Sequence, residues 1–141
     1  MDEVIFIASD HAGFDLKEKI ITSITNRNFV DLGTSGKESV DYPDYANKLI
    51  SKINLNDTSK GILICGSGIG MAIAANRNNK IRAGLAFNSE IAKLMREHND
   101  ANVLVLPGKF INIKDAIKCV KSFLSSKFEG GRHKKRVNKL G

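Results

Sequence analysis

The sequence predicts an α/β fold in which a five-stranded parallel sheet is covered by helices on both faces. Short, almost wholly apolar segments alternate with segments whose apolar residues recur at helical spacing. This alternation repeats five times within 141 residues, without a linker or a low-complexity segment. Apolar strands that alternate with helices are typical of parallel sheets buried on both faces. We therefore predict one three-layer domain over residues 1–141, which ends in a C-terminal helical extension.

The five strands are predicted where apolar residues run almost without interruption. In chain order they lie at residues 4–8, 29–32, 61–64, 81–87 and 102–106. Gly33 ends the second strand, and Pro107-Gly108 ends the fifth, because glycine and proline interrupt regular structure.

The helices are predicted from apolar residues spaced three or four apart. Leu16, Ile20 and Ile24 mark the first helix, and a polar loop over residues 33–43 precedes the second. The later helices are predicted near residues 45–53, 71–77, 91–95 and 116–124. Arg132 and Arg136 are four residues apart, so on a helix they would share one face and grip one phosphate. A solvated basic tail is the alternative.

Ligands of open parallel sheets bind beyond the carboxyl ends of the strands. The segments that directly follow the predicted strands are therefore the candidate site. They are residues 9–11, 33–35, 65–70, 88–89 and 107–109.

Residues 65–70 join the third strand to the next helix and contain three glycines. Glycine lets main-chain N–H groups approach a ligand closely, and a helix N-terminus attracts negative charge. Such a loop can hold a phosphate or a developing oxyanion. It is not a nucleotide P-loop, since no Gly-Lys-Ser/Thr follows, and the third glycine comes one residue too early for a dinucleotide loop. The alternative is a tight turn that binds nothing.

Cys65 opens this loop beside the helix N-terminus, where a thiolate is stabilised and can act as a base or a nucleophile. The alternative is a small core residue, which is the interpretation we give to Cys119. At the same edge, Asp10 and His11 are suited to bind sugar hydroxyls or exchange protons, and the alternative for Asp10 is that it caps the next helix. His98 is predicted on the apolar face that contains Ile91, so it is either an acid or a core histidine.

Composition narrows the classes of protein that the chain can belong to. The apolar runs are shorter than the ~20 residues that a bilayer span needs, and the N-terminus lacks the features of a secretion signal. The two cysteines form neither a disulfide framework nor a zinc motif. The net charge is +7, but five basic residues fall within residues 130–141, which leaves about +2 for the rest. We therefore expect a cytoplasmic protein, whose basic tail could meet nucleic acid, a membrane surface or a phosphorylated small molecule.

Six segments, in this order, resemble the type B ribose-5-phosphate isomerase family, which includes galactose-6-phosphate and allose-6-phosphate isomerases. They are SDHAGF at 9–14, DYPDYA at 41–46, GILICGSGIG at 61–70, IAAN at 73–76, REHNDANVL at 96–104 and EGGRHKKRV at 129–137. The resemblance covers nearly the whole chain. It implies a Rossmann-like homodimer, or a dimer of dimers, and interconversion of D-ribose 5-phosphate and D-ribulose 5-phosphate through a cis-enediolate, without metal or organic cofactor.

The resemblance also implies the role of each site residue. Cys65 would be the proton acceptor, His98 would open the sugar ring, and Ser67 would help to hold the enediolate, with Asp10 as a possible helper in catalysis. Some members carry a glutamate base at the position of Met71, so this chain is of the cysteine type. Lys109 stands where an arginine is common, and lysine lacks the bidentate fork. The expected substrate-binding set is Asp10, His11, Tyr42, Gly66, Ser67, Gly68, Ile69, Gly70, Asn99, Lys109, Arg132 and Arg136.

The family's dimer further implies that Arg132 and Arg136 serve the site of the partner chain. Alternatives within the enzyme class are isomerases of allose 6-phosphate or galactose 6-phosphate, since pocket depth does not follow from the sequence. Alternatives outside it are a protein that binds phosphate or nucleic acid through the basic tail, a nucleotide-binding regulatory domain, and a redox enzyme that uses Cys65. None of these rivals accounts for Asp10, His98 and the arginine pair together, so we expect a sugar phosphate and a second copy as partners, with neither nucleic acid nor a membrane.

Overall fold

The computed structural model describes residues 3–55 and 59–141, and in them five strands alternate with helices. The strands are β1 (Val4–Ser9), β2 (Asn28–Asp31), β3 (Lys60–Cys65), β4 (Ala83–Leu85) and β5 (Val103–Pro107). The helices are α1 (Phe14–Ser23), which a short 3₁₀ turn at His11–Gly13 precedes, α2 (Tyr42–Leu55), α3 (Ile69–Asn76), α4 (Ser89–Glu97), α5 (Ile113–Ser125) and α6 (Arg132–Asn138).

The five strands form one parallel sheet in the order β2-β1-β3-β5-β4. At its centre, Ile62 of β3 lies between Ile7 of β1 and Leu104 of β5. The predicted parallel sheet is therefore confirmed, and β3, which leads into the glycine loop, is its middle strand.

Alternate residues of the central strands face two separate hydrophobic clusters. Ile62 and Ile64 pack with residues of α1, α4 and α5, whereas Leu63 and Cys65 pack with residues of α2 and α3. Because successive side chains of a strand point to opposite faces, the sheet forms the middle of three layers. The predicted three-layer arrangement is confirmed, and Cys65 lies on the face covered by α2 and α3.

Three predicted details are wrong. Helix α2 begins at Tyr42 rather than after a loop that extends to Pro43, because proline is tolerated in a first helical turn, where an N–H has no helical partner. Strand β4 is an edge strand of three residues that pairs with β5, and not a strand over residues 81–87. On α4 the buried face contains Ala92, Met95 and Arg96, while Ile91 is 43% exposed.

Among the residues that the structure describes, Lys17 is the largest fully buried side chain, with an exposed fraction of 0%. Its ammonium binds both carboxylate oxygens of Asp31, at 2.8 and 2.9 Å, and Glu18 at 2.9 Å. Since a buried charge is tolerated when it is paired and hydrogen-bonded, this ion pair fastens α1 to the end of β2.

Within residues 3–55 and 59–141, every helix is too short or too polar to cross a lipid bilayer.

Candidate active site

Hydrogen bonds between main-chain groups join the loops that follow β1, β3 and β5. Asp10 N–H donates to the Ile64 carbonyl at 3.2 Å, Gly108 N–H to the Cys65 carbonyl at 2.8 Å, and Lys109 N–H to the Gly66 carbonyl at 2.9 Å. The carboxyl edge of the sheet therefore holds three of the predicted site segments in fixed contact, and we call this group the thiol half-site.

Cys65 is the last residue of β3 and lies at the centre of the thiol half-site, with an exposed fraction of 5%. The chain then turns through Gly68, whose φ of +79° is in the left-handed region that favours glycine, and α3 begins at Ile69. A helix N-terminus carries partial positive charge, so the turn places that charge next to the thiol. Cys119, by contrast, is fully buried in α5, and burial together with nearby Asp115 raises its pKa to about 11. The prediction that Cys119 is a core residue is confirmed.

The glycines of the loop allow close contacts that a larger residue would block. A Cβ on Gly70 would lie 2.6 Å from the ring of Tyr42, so this ring packs directly on the loop. The aliphatic part of Lys109 passes 3.5 Å from the Cβ position of Gly66. Tyr42 and Lys109, which come from distant parts of the sequence, are thus both brought to the thiol half-site.

Ser67 and Asp10 already bind main-chain groups in the structure. The Ile69 N–H donates to Ser67 Oγ at 3.3 Å. Asp10 Oδ1 accepts from the N–H groups of Ala12 and Gly13, at 3.0 and 3.1 Å, so the capping interpretation of Asp10 is confirmed. Capping uses one oxygen of the carboxylate, and within the described residues the structure gives Oδ2 no hydrogen bond.

His11 follows Asp10 at the mouth of the thiol half-site and is partly buried. The Val40 N–H donates to His11 Nδ1 at 3.2 Å. A nitrogen that accepts carries no proton, so the neutral ring bears its proton on Nε2 and can donate from there. This contact also fixes the loop that precedes α2 against the thiol half-site.

The remaining predicted residues form a second group around the end of α4 and the start of α6. His98 is the C-cap of α4, and its ring stacks on His133 with the ring centroids 4.3 Å apart. A cavity of about 300 Å³ is lined by His98, Asn99, His133, Arg136, Val137 and Leu140. Arg132 and Arg136 lie on a helix, as predicted, and both are exposed. We call this group the arginine half-site.

His133 is the residue of the arginine half-site that sequence reasoning missed. It is 7% exposed, and its Nε2 has no hydrogen-bond partner among the described residues. Burial lowers its pKa, and the positive charge of Arg132 and the neighbouring His98 lower it further. Its spacing of four from Glu129 and its place directly after Arg132 were the signals available. His98 is partly exposed, so the alternative of a core histidine is wrong.

Ligand atoms of His98, Glu129 and His133 lie within 4.8 Å of one another, the one such trio found in the described residues. The two rings are inclined by only 14°, however, and the nitrogens of two stacked, nearly parallel rings cannot both point at one ion from metal-bonding distance, ~2.0–2.1 Å for zinc. The stacked pair is therefore arranged for packing, and a ring would have to rotate before both nitrogens faced one ion.

The two half-sites lie at opposite ends of the parallel strands, the thiol half-site at the carboxyl ends and the arginine half-site toward the amino ends. Cys65 ends β3 at the carboxyl edge, whereas His98 precedes β5, whose first residue Val103 pairs with Gly61 near the start of β3. Four residue steps of about 3.3 Å separate Gly61 from Cys65, or roughly 13 Å along the strand. The single chain therefore brings together Asp10, His11, Tyr42, Cys65, the glycine loop and Lys109, but not His98, Asn99, Arg132 or Arg136.

A family model described as Ribose/Galactose Isomerase matches residues 5–140. The chain belongs to this family. The match extends from β1 through α6, so both half-sites lie within it.

Relatives and solved structures of this isomerase family cover the chain almost completely. A protein of Mycoplasma pneumoniae named probable ribose-5-phosphate isomerase B is 45% identical over 143 residues, which cover 99% of this chain and 94% of the relative. A ribose 5-phosphate isomerase structure from Thermotoga maritima matches with a TM-score of 0.96 and 48% identity over 99% of this chain and 98% of that one. The Mycoplasma genitalium ribose-5-phosphate isomerase B, solved with bound ribulose-5-phosphate, matches with a TM-score of 0.94 and 42% identity, covering 99% and 95%.

Proposed function

We propose that this isomerase interconverts D-ribose 5-phosphate and D-ribulose 5-phosphate at sites that two copies of the chain build together. The choice of a five-carbon sugar is supported by the relatives named for ribose 5-phosphate, above all by the solved structure with bound ribulose-5-phosphate. The observation that carries the mechanism is the Cys65 thiol at the mouth of the glycine loop. The runner-up substrates are allose 6-phosphate and galactose 6-phosphate, the second because the family description also includes galactose isomerases.

Isomerisation moves a proton from C2 of the aldose to C1, and Cys65 is the proposed base. Removal of the C2 proton leaves its electron pair in a C1–C2 double bond, and the carbonyl oxygen O1 becomes the enediolate oxygen. Return of the proton to C1 gives the ketose, while the O2 proton passes to O1. Ser67 is the proposed carrier between these oxygens, since a hydroxyl both donates and accepts.

The enediolate needs hydrogen-bond donors that are already in place before its charge develops. The first N–H groups of α3 have no carbonyl partner within the helix, and helix geometry directs them toward the carboxyl edge. Rotation of Ser67 away from Ile69 would free one more N–H for the sugar. We assign this role to the main chain of Gly66, Ser67, Gly68, Ile69 and Gly70.

The arginine half-site supplies the groups that the thiol half-site lacks. Ribose 5-phosphate is mostly a closed ring, so an acid must assist opening, and we assign this role to His98 because imidazole is the side chain most often used as an acid near neutral pH. Arg132 and Arg136 bind the phosphate, with Asn99 on the sugar, and fixing the phosphate positions the reacting carbons. Asp10, His11 and Tyr42 bind hydroxyls from the thiol side, where Lys109 adds a positive charge.

A homodimer, or a dimer of dimers, follows from this division, because one chain holds the two half-sites at opposite ends of its strands. Two-fold symmetry would bring the arginine half-site of each copy to the thiol half-site of the other. Ile69 and Ile73 lie one turn apart on α3, beside the glycine loop, and both are 56% exposed. A second copy would bury this apolar face next to the shared site.

Both cysteines are free, in keeping with a cytoplasmic location.

The rival based on nucleic-acid binding is less well supported. It relied on the basic tail, but this tail forms α6, and Arg136 lines a cavity together with His98 and Asn99. An arginine that faces a small cavity is suited to one phosphate rather than to a polyanion. We therefore propose that the partners are a sugar phosphate and a second copy.

The test is to measure turnover of the purified protein with ribose 5-phosphate, allose 6-phosphate and galactose 6-phosphate side by side. We expect ribose 5-phosphate to give the highest kcat/KM. Cys65→Ala is expected to lower kcat by about 10²–10⁴-fold, the usual contribution of a positioned base, while inorganic phosphate still binds. The matched control is Cys119→Ala, which removes the other thiol from the core. Substantial turnover by Cys65→Ala would exclude the thiol as the base. A higher kcat/KM for a six-carbon sugar phosphate would exclude ribose 5-phosphate as the preferred substrate.

A further inference from the structure

The turn that carries His98 and Asn99 has a left-handed residue directly after it. Helix α4 ends at Glu97, and Asp100 has a φ of 51°. This backbone region is uncommon for residues other than glycine, although Asp and Asn tolerate it better than most. The direction in which His98 and Asn99 leave the helix therefore depends on what holds Asp100.

Two arginines from different elements bind the acceptor groups of Asp100. Arg82, directly before β4, donates from Nε to the Asp100 carbonyl at 2.7 Å and from Nη2 to Oδ2 at 3.1 Å. Arg96 of α4 donates from Nη1 to Asp100 Oδ1 at 2.9 Å and to the Ala101 carbonyl at 2.7 Å. Both carboxylate oxygens and the carbonyl of Asp100 are therefore in charge-assisted hydrogen bonds.

The two arginines are themselves held in place. The Arg96 side chain is only 11% exposed, so its charge is well removed from water and needs the carboxylate. The Arg82 main chain is tied to Asn102, since Arg82 N–H donates to Asn102 Oδ1 at 2.8 Å and Asn102 N–H donates back to the Arg82 carbonyl at 3.0 Å. The turn between α4 and β5 is thus fastened to α4 and to the start of β4 at once.

We propose that Asp100 is a positioning residue for the isomerisation. With Arg82 and Arg96 it sets the direction of the turn, and it thereby aims His98 and Asn99 at the sugar in the neighbouring copy's thiol half-site. The inference rests on the proposed function, because it takes His98 as the ring-opening acid. The carboxylate oxygens of Asp100 are already bound by Arg82 and Arg96, so we assign its effect to the two residues before it.

A double-mutant cycle separates positioning from plain stabilisation. Asp100→Asn keeps a residue that tolerates the left-handed backbone but removes the charge that binds the arginines. We expect it to lower kcat with ribose 5-phosphate by about 10- to 100-fold, since misplacement by 1 Å can reduce a rate by that much. In a His98→Asn background the same change should lower kcat less than about threefold, because the ring-opening acid is gone and only the sugar contact of Asn99 remains to be misplaced. A merely structural residue would reduce kcat by the same factor in both backgrounds.

A second substrate and a control variant complete the test. D-erythrose 4-phosphate cannot close into a furanose, because its 4-hydroxyl carries the phosphate, so Asp100→Asn should reduce its turnover less than that of ribose 5-phosphate. Asp31→Asn is the control, because it breaks the ion pair with Lys17 at β2, the edge strand on the side of the sheet opposite β4. It should lower the denaturation midpoint but leave kcat unchanged. If Asp100→Asn does not fold, Arg82→Gln removes one of the two arms and should show the same dependence on His98.

Wild-type kcat in Asp100→Asn, or losses that multiply in the double variant, would overturn the inference and leave the proposed function intact. Wild-type kcat of His98→Asn with ribose 5-phosphate would overturn the inference together with the ring-opening role proposed for His98, whereas no turnover of ribose 5-phosphate by the unmodified protein would overturn the proposed function.

Discussion

Mixing two inactive variants tests whether each active site takes one half from each of two chains. The first variant is Cys65→Ala, which damages the thiol half-site. The second is His98→Asn combined with Arg136→Ala, which damages the arginine half-site. Within one chain, Cys65 and His98 lie at opposite ends of the strands, roughly 13 Å or more apart along β3. Reacting groups must approach within about 3–3.5 Å, so the roles proposed for Cys65 and His98 would require the two residues to come from different chains.

The expected recovery follows from two-fold symmetry. Each variant alone is expected to be nearly inactive. With equal amounts and random exchange, half of the dimers contain one chain of each kind. Such a dimer collects all lesions in one site and leaves the other site intact, so about a quarter of all sites, and about a quarter of wild-type activity, should return.

The assay is turnover of ribose 5-phosphate before and after subunit exchange, with exchange followed by native mass spectrometry of chains that differ in mass. Each variant exchanged with itself is the control and should stay inactive. If exchange is complete and activity stays near zero, each chain uses its own groups and the shared-site proposal is refuted.

Three further predictions concern metal dependence, pH and the buried ion pair. Treatment with EDTA should leave turnover unchanged, because the proposed steps use side chains and main-chain N–H groups; a loss that a divalent cation restores would contradict this. Burial lowers the pKa of His133 from its ordinary 6.5, so the unfolded chain binds more protons than the folded chain and the free energy of unfolding should fall as the pH drops below about 6.5. Urea titrations at several pH values should show that this free energy depends less on pH in His133→Asn. An equal dependence on pH in the two proteins would contradict the prediction. Asp31→Asn leaves the buried charge of Lys17 with one exposed partner, Glu18, and should lower the free energy of unfolding by about 1–3 kcal/mol. Lys17→Met removes the buried charge itself and should change the free energy of unfolding by less than about 1 kcal/mol. Urea melts in which Lys17→Met is the more destabilised variant would be evidence against this account.

The fold was predictable because its signals are local. Each strand is an apolar run that ends at a glycine, a proline or a polar residue, and each helix has its own spacing, so the order of elements follows from the sequence. The thiol half-site was predictable for the same reason, since every parallel strand delivers its next residues to one edge. Tyr42 was expected at the site from family resemblance alone, because its contact with Gly70 is between residues far apart in the chain.

The arginine half-site was harder to predict because its arrangement depends on how helices end and pack. Ile91 led us to place His98 on a buried face, but the buried face of α4 is rotated toward Arg96. Arginine is charged and is usually exposed, so the sequence gives no sign that this residue is buried. Arg96 is buried because Asp100 and the Ala101 carbonyl bind it, and these contacts require a left-handed turn that no periodicity indicates. The stacking of His98 on His133 likewise joins two helices that are separate in sequence.

The hydrogen bonds that join the loops after β1, β3 and β5 run between peptide groups rather than side chains. A point mutation replaces a side chain but leaves the N–H and carbonyl of the chain in place, except where it introduces proline. Descendants of such a protein can therefore exchange the residues that face the sugar, one at a time, while the thiol stays where the middle strand delivers it. A family described by both ribose and galactose is what this separation of scaffold from recognition would allow evolution to produce.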